Sequence, residues 1–230
     1  MKPHMREDSA SSTDGPLETP AERRRRRVRD AIIEAAERVF AKEGPEGLSI
    51  RRLADEIDYS PSAIYKYFSS KTELVEVLQE VFFEGLVANI EEVKSQPDMP
   101  LNRCARESIS TYVRTALARP YHYAAAFSDI EKPEVQEDFQ SHMSYIQGTF
   151  RHKAFYMLHE LVTDCVEAGI FRSDLAVAAA SKSLWASMHG LATLMIHIPN
   201  YGTSFFDGET MERDEFIQFH SDLIIRGLEA

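Results

Sequence analysis

Two helix-start signals stand ten residues apart in the stretch SPSAIYKYFSSKTELV, residues 60 to 75. Ser60 is an N-cap type with Pro61 at the first helical position; Ser70 is another, with Lys71 after it and Glu73 in the first turn. The chain is thereby held to one short helix, from Pro61 to near Phe68, followed at once by a long one running to about Lys94. Helical spacing turns Ala63, Ile64 and Phe68 toward a small core and Ser62, Tyr65, Lys66 and Tyr67 outward. A helix this short buries little, so an outward face carrying two tyrosines and a lysine is expected to touch something.

The preceding residues supply a matching pair. Ser49 caps a helix from Ile50 to Ile57, in which Ile50, Leu53, Ala54 and Ile57 keep i, i+3, i+4, i+7 spacing, and Asp58-Tyr59 makes the turn. Before it, Ala21 to Lys42 reads as a helix with Ala31, Ile32, Ala35, Val39 and Phe40 on one face, ended by Gly44-Pro45. Two short helices joined by a tight turn and buttressed by a third make a helix-turn-helix. After residues 96 to 100 the pattern gives helices near 101–119, 121–129, 133–168, 174–198 and 210–228, with Gly148 able to bend the third and Gly169 suited to its C′ position. No stretch alternates with period two for long, so the expected fold class is all-α. The expected organisation is a disordered polar segment over 1–20, a helix-turn-helix domain over 21–72, and a larger helical body over 73–230.

Charge follows the same division. The net charge is −11, yet residues 21–72 hold 12 Lys and Arg against 9 Asp and Glu, while residues 73–230 hold 12 against 24. A mildly basic module on an acidic body is the distribution expected when one end approaches a polyanion. The first twenty residues contain no apolar signal core, and the most apolar window, 184 to 198, is interrupted by His189 and His197 and stops at Pro199, short of the ~18 apolar residues a membrane span needs. Cys104 and Cys165 stand at no metal-ligand spacing; two thiols in such a chain suggest a reducing cytoplasm, and neither a metal nor a cofactor is implied.

The outward residues have the chemistry for a DNA surface. Tyrosine brings a hydroxyl for phosphate and a ring for sugar or a thymine methyl, and lysine adds charge. Arg51, Arg52 and the backbone N–H groups near Ser49 and Lys71 suit phosphate, as helix N-termini do. At these residues, Phe40 to Gly44 and SIRRLADEIDYSPSAIYKYFSSKTEL from Ser49 to Leu74, the chain resembles the TetR family of bacterial transcriptional regulators. It departs from the family pattern in placing Asp58 where glycine is usual, and Asp tolerates the left-handed conformation such a turn needs. The resemblance implies that Ser49, Arg52, Ser62, Tyr65, Lys66 and Lys71 contact DNA, and Arg51 and Tyr67 join them on chemistry alone. The run RRRRRVR, 23 to 29, suits either a basic arm on DNA or a solvated helix face.

Leu184-Trp185-Ala-Ser-Met-His189-Gly190-Leu191 resembles the Trp/His/Gly signature of one branch of TetR-type C-terminal domains. Trp185 and His189 lie four apart on one helix face, and Gly190 admits a close neighbour. The family resemblance implies a repressor dimer on a near-palindromic operator, released by a small hydrophobic or aromatic effector. Candidate pocket residues are Tyr121, Tyr123, Phe127, Met143, Tyr145, Phe150, Phe155, Trp185, Met188 and His189, with Tyr112 and Phe139 beside them. Two alternatives remain open: a DNA-binding dimer without an effector, and a metal-assisted helical enzyme using His142, His152, His159 or Glu160. For the dimer, the stripe of Leu184, Met188, Leu191, Met195 and Ile198, together with Phe216, Phe219, Leu223 and Ile224 near the C-terminus, is expected to form a four-helix interface that Asp at Leu191 or Ile224 disrupts.

Overall fold

The computed structural model describes residues 19–127, 147–205 and 207–230. In chain order its helices are α1 (Pro20–Gly47), α2 (Ile50–Glu56), α3 (Pro61–Ile64), α4 (Lys71–Lys94), α5 (Leu101–Ala118), α6 (Pro120–Ala126), α7 (Phe150–Glu167), α8 (Val177–His197) and α9 (Arg213–Arg226). Among the described residues the only β pairings are two isolated bridges, Phe171 with Glu229 and Ser204 with Thr210. The fold is all-α, as the spacing requires.

Local chemistry sets the ends. A capping box starts α1: Thr19 Oγ1 accepts the Glu22 N–H at 3.2 Å, and Glu22 Oε2 accepts the Thr19 N–H at 2.7 Å. The helix therefore begins one residue before the expected Ala21. It also runs past Lys42, with a break at Gly44, whose φ of 70° suits a residue without a side chain, and a last turn over Pro45–Gly47. Most of the expected disordered segment, residues 1–18, lies outside the described residues.

The expected helix from Pro61 to Phe68 is α-helical only as far as Ile64. Beyond it the backbone tightens into i→i+3 bonds, Lys66 N to Ala63 O at 3.3 Å and Tyr67 N to Ile64 O at 2.8 Å, which still carry the chain round to Phe68. Of the helix expected over 133–168, the part within the described residues starts at Phe150, where Gly148 takes φ 85° and Thr149 caps the start by accepting the His152 N–H at 3.2 Å. The stretch 133–146 lies outside the described residues. Gly169, at φ 69°, occupies the C′ position after α7 as its sequence context implied.

Two cores form, and α4 belongs to both. Ile32, Val39, Leu53, Ile64 and Phe68 close the first with Leu74, Val75 and Leu78 from the start of α4. Each such side chain taken fully out of water contributes about 1.5–3 kcal/mol. From Phe82 onward α4 turns to the second core, shared with α5 to α9. α4 is thus shared: its residues as far as Leu78 pack in the first core and those from Phe82 in the second. One further helix touches both: Ala125 of α6 packs into the first core while Tyr123 and Ala126 pack into the second.

At the centre of the larger module α5 packs against α4, α6, α8 and α9. Ser110 and Ser221 join α5 to α9 by a buried hydrogen bond of 2.8 Å, and Arg106 reinforces the pair through Asp222 at 2.9 Å and through Glu229. Arg114 reaches Asp214 at 2.6 Å.

Candidate nucleic-acid interface and apolar cavity

The helix-turn-helix is assembled by caps and by one unusual backbone position. Ser49 Oγ accepts the Arg52 N–H at 3.2 Å and starts α2; Ser60 Oγ accepts the Ala63 N–H at 3.2 Å and starts α3. Between them Asp58 takes φ 54°, the left-handed conformation that its place in the turn demands. Ile64 and Phe68 are fully buried beneath α3, which leaves Ser62, Tyr65 and Lys66 in solvent. Tyr65 is 56% exposed, a large apolar ring with no place in the core.

The other expected contacts separate into two groups. Ser49 and Arg51 are exposed. Arg52, in contrast, is engaged within the chain: its guanidinium lies 2.9 Å from Glu43 and 3.0 Å from Glu56, and these hydrogen bonds raise its pKa above the ordinary value. Lys71 Nζ donates to the Pro45 carbonyl at 2.8 Å and so ties the start of α4 to the end of α1. Tyr67 is half-buried against the first core, where it serves as packing. Arg23 to Arg27 lie exposed on the opening turns of α1, and Arg29 places its guanidinium 5.3 Å from the centre of the Phe68 ring.

A cavity of about 40 Å³ lies in the second module between α4, α5, α7 and α8. Of the residues expected at a pocket, Phe155, Trp185 and Met188 line it, with Tyr112. Tyr123, Phe127 and His189 form an aromatic wall beside Trp185: the Phe127 and His189 ring centres are 4.4 Å apart, and those of Trp185 and His189 are 5.6 Å apart. The Tyr123 hydroxyl stands 2.7 Å from His189 Nδ1 and 3.3 Å from Thr193 Oγ1. Burial pushes the Tyr112 and Tyr123 phenols up and the His189 imidazole down, so all three are held neutral.

Two further expected residues do not line this cavity. Tyr121 is exposed, because on the seven-residue α6 it sits about 200° round the helix from the inward Tyr123. Phe150 is exposed at the first position of α7, beyond the stripe of Met157, Leu161 and Cys165 that faces the core, and its N–H donates to Glu80 at 2.7 Å. Met143, Tyr145, Phe139 and His142 lie outside the described residues. The sequence reading missed Phe83, Leu86 and Ile90 of α4 and Ser108 and Ile109 of α5, all of which line the cavity. Their signal was the apolar face of α4 and one serine inside the apolar stripe of α5. Gly190 also departs from expectation: a side chain there would meet nothing within 4 Å among the described residues, so it makes room for no described element of its own subunit. Of the alternative metal ligands, His152 stacks on Tyr156 with ring centres 5.6 Å apart, and no group of three or more His, Cys, Asp or Glu able to hold a metal occurs among the described residues. No helix among them is long and apolar enough to cross a membrane.

Comparison with known proteins follows the same two modules. Residues 32–78 match the family profile for bacterial regulatory proteins of the tetR family, and residues 106–211 match the tetracyclin repressor-like C-terminal domain. The HTH-type transcriptional repressor KstR2 of Mycobacterium tuberculosis H37Rv is 27% identical over 150 residues, 65% of this chain and 72% of that protein. The HTH-type transcriptional repressor NicS of Pseudomonas putida KT2440 is 23% identical over 205 residues, 88% of this chain and 92% of NicS. Among solved structures, a protein of unknown function from Rhodococcus sp. RHA1 superposes with a TM-score of 0.68 at 24% identity, covering 94% of this chain and all of the other. The TetR family regulator PfmR of Thermus thermophilus does so with a TM-score of 0.63 at 23% identity, over 86% of this chain and 99% of PfmR. Profiles on both modules, with relatives that span them, lead to one conclusion: the chain belongs to the TetR family and is a DNA-binding transcriptional regulator.

Proposed function

We propose that the protein is a repressor that binds a near-palindromic operator as a homodimer, with Tyr65, Lys66, Ser62, Ser49 and Arg51 at the DNA, and leaves it when a small apolar molecule enters the α4–α5–α7–α8 cavity. The observation that carries this reading is the exposed Tyr65-Lys66 pair, held on a short element whose other face, Ile64 and Phe68, is fully buried. Arg52 and Lys71 take a supporting part, since both are engaged in holding α1, α2 and α4 together. The repressor assignment is supported by KstR2 and NicS, both described as repressors. On this reading the chain works in the cytoplasm and catalyses no reaction.

The cavity is far smaller than the roughly 300–1,000 Å³ that enclose drug-sized ligands. A larger effector therefore enters by moving its walls, and α4 is the wall that continues into the DNA-binding core. Pairing is supported by an outward apolar face: Phe219 and Leu223 of α9 are 54% and 59% exposed, and Ala186, Gly190 and Leu194 of α8, with Ile198 at its C-cap, recur every four residues with partial or full exposure. Selection of bound duplexes from a random-sequence pool tests the proposal. A recovered site with two-fold related halves is expected, and a pool that shows no enrichment contradicts it.

A further inference from the structure

Among the buried serines of the described residues, three have partners. Ser110 and Ser221 bond each other at 2.8 Å, Ser221 also returns to the Ile217 carbonyl at 2.9 Å, and Ser181 returns to the Val177 carbonyl at 2.8 Å. Ser108 is different. It is 6% exposed, its Oγ has no hydrogen-bond partner among the described residues, and it lines the cavity. Buried hydroxyls are nearly always satisfied, and a serine within a helix has the carbonyl four residues back available to it, as Ser181 and Ser221 demonstrate. A hydroxyl that lacks this bond and borders a cavity is a hydrogen-bonding group held in readiness.

The rest of the wall sets what else the occupant must be. Ile109, Phe155, Leu158, Leu161 and Met188 present carbon and sulfur, and no described residue lining the cavity carries a charge. The Tyr112 hydroxyl stands 3.5 Å from His189 Nδ1, within the polar set that Tyr123 completes. His189 offers no positive charge to an anion, because burial keeps its ring neutral. A carboxylate or phosphate drawn into this space loses its hydration and meets no charge among the described lining residues, since the Arg151 guanidinium stands over the Phe83 ring, 5.4 Å from its centre, and is hydrogen-bonded to Gln79; such burial is strongly unfavourable.

We propose that the cavity takes a neutral, compact, largely apolar molecule whose single hydrogen-bonding oxygen, an alcohol or a ketone, meets Ser108 Oγ. This inference rests on the reading of the cavity as the effector site and narrows the effector to a chemical class, setting free acids and phosphorylated compounds aside.

Trp185 is the one tryptophan in the sequence and lines the cavity, so its fluorescence reports occupancy without a label. The full-length protein is titrated with cyclohexanol, methylcyclohexane and cyclohexanecarboxylate, which share one ring and differ in the polar group. Cyclohexanol is expected to bind at least tenfold more tightly than the carboxylate. Ser108→Ala is expected to weaken cyclohexanol about five- to tenfold, the loss of one hydrogen bond, and to leave methylcyclohexane unchanged. The same variant is expected to melt at or above the parent temperature, because it removes an unsatisfied hydroxyl. Equal binding of alcohol and carboxylate overturns the neutral class. Unchanged alcohol binding in Ser108→Ala overturns the role of Ser108 and leaves the cavity as a binding site. Failure of all three molecules to perturb Trp185 overturns the inference together with the cavity reading on which it rests.

Discussion

Tyr65 and Lys66 are the residues on which DNA reading is proposed to depend, and their exposure separates binding from folding. Neither side chain lies in the first core, so Tyr65→Ala and Lys66→Ala are expected to leave the folded state within about 0.5 kcal/mol of the parent stability, as thermal melting checks. Each is expected to weaken binding to the selected site by ~1–3 kcal/mol at matched salt, measured by fluorescence anisotropy. Undiminished affinity in both contradicts the assignment. His189 gives a second prediction at this scale. Its ring packs among Tyr112, Tyr123, Phe127 and Trp185, and burial lowers its pKa, as it does for His220. The unfolded chain takes up protons near the ordinary histidine pKa of about 6.5 while the folded chain resists them. Stability is therefore complete above that pH and falls as the pH drops below it. Melting temperature is expected to decline between about pH 7.5 and 5.5, and His189→Gln is expected to flatten part of the decline. What the sequence reveals at this scale is residue type rather than direction. Tyr65 and Tyr67 were both read as facing outward, Tyr65 on the family resemblance and Tyr67 on chemistry alone, yet one is exposed and one packs, and Ser108 gave no sign of its unmade bond until the cavity around it was seen.

At the scale of elements the signals were clearer, because caps act locally. Ser49, Ser60 and Ser70 each start a helix where the sequence places one, and each accepts the N–H three residues on. Connection between elements was not legible, since it depends on contacts across the fold. α6 is the main instance. Its seven residues place Ala125 in the first core and Tyr123 in the second, and His122 Nε2 lies 2.8 Å from Glu37 Oε1 on α1. α6 thus physically connects the aromatic wall that includes Tyr123 and Phe127 to α1, and on the proposed function it is the route by which cavity occupancy is expected to bear on α1. His122→Ala and Glu37→Gln are expected to preserve DNA affinity in the absence of ligand. They are also expected to reduce the coupling between cavity occupancy and DNA release by about 0.5–2 kcal/mol. The double variant is expected to lose no more than either single change, the signature of one shared contact. Additive losses in this cycle contradict the pathway through α6.

For the whole molecule, helical periodicity identified the apolar faces of α8 and α9 but not which part of each is covered. Leu191 was an expected interface position. It is 5% exposed and belongs to the second core, where α8 packs on α5, so aspartate there is expected to unfold the subunit rather than separate two of them. Ile224, half-buried, also packs against that core. The outward residues Phe219 and Leu223 are the informative sites: Leu223→Asp is expected to give a folded monomer with an unchanged helical circular dichroism spectrum and greatly weakened operator binding. Loss of helicity in that variant instead assigns Leu223 to the subunit's own stability. The central claim, a two-fold dimer reading two half-sites, is tested most directly by the protein mass bound to one selected operator duplex in sedimentation equilibrium. Two chains of 26.2 kDa on each duplex are the expected result, and saturation by a single chain contradicts it.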